Sequence, residues 1–520
     1  MAEPSGRGQF EPRGVGTVRG NAQLFARAAL LVAAALVVAA FVQVLIDALS
    51  PERSLGDALR RPWTTSPEEL HAAMANISRT FNQLLALVTT ALAIAVPLTA
   101  NMYTPKLLEI FLGDRINRIV LGLILFSTVN TLWVNARISA GHVPRFGLVL
   151  TFVLLLACFA VLLPYFFYVF RFLHPSHILE RLQQSATRLV QRLPELVVRK
   201  SVGALQADLR ERIEHIRSLG MRSLDREDRD VAQGALRSIQ RVAIAYPGVK
   251  GALPAAWFEP TFRDAMRMSN EAMEALEASR TWVEMECLRQ VELVFLASLA
   301  KAPDLVGTAC QVLRMVSLRA AHEDDLPVLG LTTDFFHSFI RAAINRRDVR
   351  SAYHVLYQYR LLAEELLKRT PGIVGDMGRR LAYYADAAVQ AGLSFVAETI
   401  AYDLGVVTHR AREQESEAFG PLLTAVMWLP KQTLTKRPLK GVYKASIILA
   451  ARLELAGDAD NARRLLEPLK ALEDDVRFEV FADLLDNPPE RFWEVTDRLI
   501  NFDYTPPDVR EAIRGIRDRL

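Results

Sequence analysis

Residues 80–137 read TFNQLLALVTTALAIAVPLTANMYTPKLLEIFLGDRINRIVLGLILFSTVNTLWVNAR. This stretch contains two long apolar runs, Phe81–Met102 and Ile116–Val134, and the first carries no charged residue. About 20 such residues, at a rise of about 1.5 Å each, cross the hydrocarbon core of a bilayer. The stretch therefore predicts two membrane-spanning helices joined by a short loop, and the rest of the chain is organised around them.

Local signals predict where these helices begin. Ser66 precedes Pro67 and two glutamates, an order typical of an N-cap, a first helical position and carboxylates at the positive end of the helix dipole. The pattern predicts a polar helical extension from Leu70 to Arg79 ahead of the first span. Asp114 is predicted to cap the second span.

Two further apolar runs complete a predicted four-helix transmembrane domain over residues 23–172. Ala28–Ile46 is longer than the apolar part of a signal peptide and no A-x-A site follows it, which favours an uncleaved anchor. Phe146–Phe170 ends in a cluster of aromatic residues typical of a membrane interface. The predicted spans are 28–46, 81–102, 116–134 and 146–170, after a disordered tail at 1–22.

The loop between the two central spans carries a family resemblance. Residues 101–108 (NMYTPKLL), residues 111–114 (FLGD) and the pair Leu121–Gly122 are similar to a signature of bacterial membrane proteins in the domain-of-unknown-function 2254 family. The resemblance lies mainly over residues 80–138 and implies a multi-span membrane protein. The residues that carry it most closely are Tyr103, Thr104, Pro105, Lys106, Asp114 and Gly122.

The composition indicates a membrane part and a soluble part. The 520 residues are 51% hydrophobic and 23% charged, too apolar for a typical soluble protein and too charged for one lying wholly in a bilayer. The formal net charge of +4 is small for this length, so nucleic acid is not a predicted partner. The three cysteines are far apart and predict neither disulfides nor a zinc site.

After Phe172 the sequence predicts a juxtamembrane helical linker at 173–222 and a cytoplasmic α-helical domain at 223–520. Apolar residues recur there at helical spacing and strand-like alternation is nearly absent. The predicted helices include Trp282–Lys301, Phe395–Leu404 and Glu490–Phe502, and Pro194 is predicted to break a long amphipathic helix over His177–Ile216. The turns preceding Ala352, Ala397 and Ala462 resemble those between paired helices of tetratricopeptide-type repeats, at intervals of 45 and 65 residues. Because a solenoid keeps a fixed period, two arrangements stay open: an irregular helical-hairpin (tetratricopeptide-like) stack and a compact bundle.

Polar side chains in the third span form another candidate site. Ser127, Asn130 and Thr131 lie near one helix face. Bonding between helices is the ordinary role of such groups, and a pore lining is the alternative. No Asp, Glu, Lys or Arg lies at the centre of the predicted spans, although proton relays and transporters of charged substrates usually need one.

Clusters of metal-ligand residue types are sparse. His174 and His177 are three residues apart, and His322 is followed by three acidic residues. Neither group has a further ligand at the spacing of a metal site, so an interfacial pair and a solvated loop are the favoured interpretations. No phosphate-binding, dinucleotide-binding or hydrolase motif is present. The sequence therefore predicts no enzyme activity, no cofactor and no metal.

The leading hypothesis is a non-enzymatic scaffold or interaction platform with a protein partner bound through residues 250–520. The alternative is an oligomeric channel or pore gated by the cytoplasmic domain, which would make the protein a homo-oligomer in membrane lipid. Lys and Arg near the spans are concentrated on the side of the N-terminal tail and of the stretch after Phe172. This bias predicts a multi-pass protein of the bacterial inner membrane with both termini in the cytoplasm.

Overall fold

The structure, a computed structural model, describes residues 66–102, 113–139, 143–261, 268–432, 438–486, 489–491, 498 and 501–520, with positions 27, 30–34, 37, 38 and 42. The secondary-structure elements in these residues are helices, as the all-α prediction requires. The chain divides into two compact units, Met1–Ile178 and Leu179–Leu520. We term them the membrane unit and the helical unit; the sequence-based boundaries were instead 172 and 222.

In the part of the membrane unit that is described, three long helices pack on one another: α1 (Pro67–Met102), α2 (Arg115–Arg137) and α3 (Arg145–Leu173). By length and composition each is apolar enough to cross a membrane, α1 over Pro67–Ile94. They contain the predicted spans 81–102, 116–134 and 146–170. The predicted span 28–46 lies mostly outside the described residues, so the count of four spans stays a prediction.

Apolar side chains on the outer faces of α2 and α3 fit a lipid environment. Phe126, Trp133, Phe167 and Phe170 are each more than half exposed. Soluble proteins rarely expose contiguous apolar surface of this kind. The inward faces are closely packed: a Cβ added to Gly147 on α3 would lie only 2.7 Å from a methyl group of Val134 on α2.

The predicted start of α1 is confirmed by its hydrogen bonds. The Glu69 amide donates to Ser66 Oγ at 3.4 Å, and the Leu70 amide donates to the Ser66 carbonyl at 3.1 Å. Residues 70–79 are helical and continuous with the apolar part of α1, as the sequence predicts.

The helical unit contains sixteen α-helices in its described residues, counting α4, whose first turn belongs to the membrane unit. They are α4 (Pro175–Leu196), α5 (Val202–Leu224), α6 (Arg229–Ala245), α7 (Pro247–Lys250), α8 (Asn270–Ser279), α9 (Trp282–Lys301), α10 (Val306–His322), α11 (Leu326–Asn345), α12 (Val349–Leu366), α13 (Pro371–Gln390), α14 (Ser394–Glu413), α15 (Phe419–Gln432), α16 (Lys440–Leu455), α17 (Ala459–Leu466), α18 (Asp474–Leu485) and α19 (Pro507–Arg517). Short 3₁₀ helices occur at Ala255–Phe258, Pro303–Leu305 and Glu467–Ala471.

From α9 to α17 the helices form two rows. Each helix packs on the next in the chain, and also on the next but one. One row contains α10, α12, α14 and α16, and α6 extends it by packing on α10; the other row contains α9, α11, α13, α15 and α17. This contact pattern is that of helical hairpins laid side by side, and the likeness to tetratricopeptide proteins stays a prediction.

The same turn recurs between several pairs of successive helices. Arg347, Gly392 and Gly457 adopt positive φ just beyond the ends of α11, α13 and α16. The next amide donates five residues back in each case, for example from Leu393 to the Ala388 carbonyl at 2.8 Å. These are Schellman motifs, which satisfy the last carbonyls of a helix and reverse the chain within a few residues.

The spacing of these turns explains the unequal intervals in the sequence. Asp324 and Arg347 are separated by 23 residues, as are Gly392 and Glu415, so one helix with its turn takes a nearly constant length. Ala352 and Ala397 lie two helices apart, whereas Ala462 lies three helices beyond Ala397 and therefore in the other row. The interval of 65 residues thus does not mark an irregular stack.

Candidate functional site: a groove on the helical unit

In the membrane unit, Asp114 links the start of α2 to α3. Its Oδ2 accepts the Ile116 amide at 3.0 Å and the Asn117 amide at 3.3 Å, which confirms the predicted N-cap. The same oxygen accepts the Tyr168 hydroxyl at 2.7 Å. One carboxylate therefore caps one span and fixes it against the next.

The predicted polar face of the third span lies within the helix packing. Ser127 and Thr131 are fully buried, and their hydroxyls donate to carbonyls four residues earlier in α2. Asn130 is half-buried, and its Nδ2 donates to Thr151 Oγ1 on α3 at 3.1 Å. These contacts are the ordinary interhelical and intrahelical bonds of such residues.

The other residues that carry the family resemblance are four in the loop and Gly122 in α2. Tyr103, Thr104, Pro105 and Lys106 lie outside the described residues. A Cβ added to Gly122 would meet no described atom within 4 Å, so close helix packing in the described part of the chain does not explain this glycine.

Within the described residues, no group of three or more His, Cys, Asp or Glu side chains is arranged to hold a metal ion. The rings of His174 and His177 are 6.0 Å apart, and Arg171 Nε donates to His177 Nε2 at 3.4 Å. In the acidic stretch after His322, Asp325 caps α11 through the Val328 amide at 3.3 Å.

Asp325 also belongs to a buried ion cluster. Lys250 Nζ donates to Glu284 Oε1 at 3.0 Å and to Asp325 Oδ2 at 2.6 Å. The Glu284 carboxyl is fully buried, and its burial raises its pKa to about 7 although Lys250 acts in the opposite direction. The cluster joins α7 to α9 and α11 and has no opening to solvent at Glu284, which indicates a structural role.

The most developed surface site is a groove on the row formed by α12, α14 and α16. A segment that we term the strap, comprising Arg498 and residues 501–506, lies in this groove between α18 and α19. The sequence predicts a helix over 490–502, but the described residues of that range, Glu490, Arg491, Arg498, Asn501 and Phe502, are not helical.

The guanidinium of Arg498 fills the deepest part of the groove. Its Nη1 donates to Asp403 Oδ1 on α14 at 2.7 Å, and its Nη2 donates to the Tyr353 carbonyl on α12 at 2.9 Å. The Tyr353 ring lies 4.1 Å from the guanidinium carbon, a geometry that attracts a cation. Both partners of the ion pair are almost fully buried, at 1% and 3% exposure.

Phe502 and Asp503 of the strap contact the neighbouring surface of α14 and α16. The Phe502 ring stacks on Tyr402 of α14, with centroids 4.8 Å apart and planes 10° apart. The Asp503 carboxylate accepts from Tyr402 Oη at 2.5 Å and from Lys444 Nζ on α16 at 2.8 Å. Burial opposes the charge on Lys444, but its hydrogen bonds to Asp483 and Asp503 raise the pKa of the ammonium group above its usual value.

Space remains in the groove on both sides of the strap. A cavity of about 270 Å³ is lined by Phe395, Lys444 and Phe502, among others. A second cavity of about 550 Å³ is lined by Val406, Arg410, Ile448, Arg452 and Tyr504, among others. Apolar walls with a few charged groups are typical of binding sites, and each cavity is large enough for several side chains of another molecule.

Sequence reasoning did not identify this groove. Its aromatic lining comes from Tyr353 and Tyr402, which belong to different helices, and its acid from Asp403, which is 95 residues from Arg498. The tyrosines of α12 were a local sign of an aromatic surface, but only the packing of α12 on α14 places Tyr353 beside Tyr402 and Asp403.

Comparisons with known proteins bear on the first part of the chain. The model of the family described as predicted membrane protein (DUF2254) matches residues 21–238. No curated protein and no solved structure matches the chain. The match is longer than the resemblance over 80–138 and extends into the first helices of the helical unit. Over residues 21–238 the chain is therefore similar to the DUF2254 family of predicted membrane proteins.

Proposed function

We propose that the protein is a non-enzymatic interaction platform, in which the membrane unit holds the chain in the bilayer and the groove of the helical unit binds a segment of a partner protein. The observation that carries this proposal is the strap. A non-helical segment already lies in the groove and is held by side chains from α12, α14 and α16. A surface that accommodates one such segment has the features needed to bind another.

The chemistry of the groove supports binding over catalysis. The carboxylate of Asp403 lies beside the guanidinium groups of Arg360, at 3.3 Å, and Arg498. Lys444 bonds both Asp483 and Asp503 at 2.8 Å. Charges compensated in this way are suited to holding a complementary side chain, and none is a nucleophile paired with a base.

The proposed function requires that the protein is anchored in a membrane. The family match and the apolar helices support an integral membrane protein. We propose that the chain crosses the bacterial inner membrane several times with both termini in the cytoplasm, which would present the groove to cytoplasmic proteins. Fusion of a reporter enzyme to each terminus tests this orientation.

Affinity purification of the full-length protein from native membranes in mild detergent tests the platform. A partner that is recovered with the wild type should be lost with Val406→Glu, which places a charge on the wall of the groove. Tyr383→Glu is the matched control, because Tyr383 is half exposed on α13 in the other row. Equal recovery with both variants, or recovery of the protein alone, would contradict the proposal.

The channel hypothesis has less support. A pore lining needs polar groups with free hydrogen-bonding capacity along one path, whereas the hydroxyls of Ser127 and Thr131 bond within α2 and Asn130 bonds Thr151. Conductance of the reconstituted protein that changes on Asn130→Leu would favour the channel over the platform.

A further inference from the structure

The strap presents three side chains to three separate subsites of the groove. Arg498 enters the pocket of Tyr353 and Asp403, Phe502 lies on Tyr402, and Asp503 is held by Lys444. The order along the chain is an arginine, an aromatic residue four positions later, and then an acid. Each subsite matches its occupant in charge or shape, so together they define a recognition pattern.

The strap is held between two helices that have their own packing. Val509, Ile513 and Ile516 bury the apolar face of α19, which packs on α16 and α18. Val480 and Leu484 do the same for α18, which packs on α16 and α19. The strap can therefore leave the groove while both flanking helices stay in place.

The strap also leaves part of the groove open. The cavities on its two sides share Tyr402, Asn501 and Phe502 in their linings. An incoming segment can thus occupy the free space first and then exchange with the strap, one subsite at a time.

We infer that the strap is an internal competitor for the groove, and that the partner segment carries an arginine followed four residues later by an aromatic residue and then an acidic residue. This inference rests on the proposed function and adds the chemistry of the partner and its regulation. The tethered strap acts at an effective concentration of roughly 1 mM, so a partner must be abundant at the membrane or offer better contacts in the adjoining cavities.

A labelled peptide with the sequence of residues 496–505, TDRLINFDYT, is the probe. Its binding to full-length protein in nanodiscs is followed by fluorescence anisotropy. Two variants open the groove: Asp503→Lys, which sets a cation against Lys444, and the double change Arg498→Ala with Phe502→Ala. Arg514→Ala is the control, because Arg514 is exposed on α19 and pairs with Glu511 outside the groove.

We expect both opened variants to bind the peptide at least about tenfold more tightly than wild type and control, because the strap no longer competes for the groove. Adding Lys444→Ala to the double variant should weaken binding again. A peptide in which glutamate replaces the arginine should not bind. Circular dichroism identifies any variant that has not folded.

Equal affinity for wild type and for the opened variants, or no binding to any folded opened variant, would overturn the inference. The proposed function is judged separately by partner recovery with Val406→Glu. If partner recovery depends on Val406 but the peptide binds equally to wild type and to the opened variants, the platform is supported and internal competition is not. If neither partner recovery nor peptide binding changes as expected, both the platform and the internal competition are contradicted.

Discussion

The two units differ in the polar groups that they bury: among the described residues, the buried polar side chains of the membrane unit are uncharged, whereas the helical unit also buries charged ones. In the membrane unit, the hydroxyls of Ser127, Thr131 and Thr151 donate to carbonyls four residues earlier in their own helices. In the helical unit, buried charges bond to partners far away in the sequence, as Arg498 does with Asp403 and Lys250 does with Asp325. The membrane helices are mostly self-sufficient, whereas the helical unit depends on long-range pairs.

This difference has an energetic consequence. A hydroxyl that bonds its own helix says little about which neighbour the helix meets, and the interhelical bonds of membrane proteins contribute less than about 1 kcal/mol on average. Removing one partner of a buried ion pair leaves a charge without compensation and costs about 3–5 kcal/mol. Single side chains should therefore matter more in the helical unit, which is also where we place partner recognition.

The largest expected effect is at Asp403. Asp403→Ala leaves Arg498 and Arg360 in the groove without their shared carboxylate and should lower the free energy of unfolding by about 3 kcal/mol or more. Urea titration of the full-length protein in detergent measures the change. Glu511→Ala is the control, since its pair with Arg514 is exposed, and it should leave stability unchanged. A loss of stability at Asp403 no larger than in this control would contradict the view that the helical unit depends on long-range ion pairs.

Glu284 should make stability depend on pH. Its pKa is raised from 4.5 to about 7 by burial, so the folded state binds a proton more tightly than the unfolded state. The stabilisation is complete below pH 4.5 and is lost as pH rises towards 7, a fall of about 3 kcal/mol. Unfolding titrations across this range should show this fall in wild type and a flatter profile in Glu284→Gln.

The matched control is Glu274→Gln on the exposed face of α8, which should keep the wild-type slope. A Glu284→Gln profile as steep as that of the wild type would show that another group titrates in the range. Glu284 would then not be the buried group of the helical unit that makes stability depend on pH.

Asp114 should be the most sensitive polar residue of the membrane unit, because it caps α2 and accepts from Tyr168. We expect Asp114→Ala to cost about 1–2 kcal/mol. Tyr168→Phe should cost about 1 kcal/mol, and a double-mutant cycle with Asp114→Asn should give a coupling of similar size. Thermal unfolding in nanodiscs measures these changes, and purely additive effects would indicate that the hydrogen bond contributes nothing.

The smallest expected effect is at Asn130. Asn130→Leu removes the bond to Thr151 and should cost only about 0.6 kcal/mol, with no change in the conductance of reconstituted bilayers. Thr151→Val removes the same bond and should act alike, with little added in the double variant. A loss of several kcal/mol at Asn130 would contradict the view that the membrane helices are mostly self-sufficient.

The parts of the fold that could be predicted are those set by local sequence. Trp282–Lys301 has the predicted bounds of α9, because its apolar spacing starts and stops sharply. The break near Pro194 comes slightly later than the proline, after Leu196, and Ser201 caps the next helix through the Ala204 amide. The start of the second helix therefore follows from capping chemistry within a few residues.

Predictions failed where tertiary contacts override local pattern. The helix predicted over Phe395–Leu404 continues to Glu413, since Val407 and Ala411 in the added part are buried in the packing of the helical unit. The helices Phe419–Gln432 and Pro507–Arg517 were not predicted, because Pro421 and Pro430 interrupt the first and the second is rich in charge. The groove was missed for the same reason: its parts are brought together only by the packing of three helices.

Site-specific photo-crosslinking in native membranes tests directly whether the groove of the helical unit binds a partner protein. One variant carries a photoreactive residue at Val406, in the wall of the groove, and a second variant carries it at Tyr383, on the other row. We expect a protein adduct from Val406 that becomes stronger in the Asp503→Lys background, and none from Tyr383. Adducts of equal yield from the two positions, or no protein adduct from Val406 in either background, would contradict it.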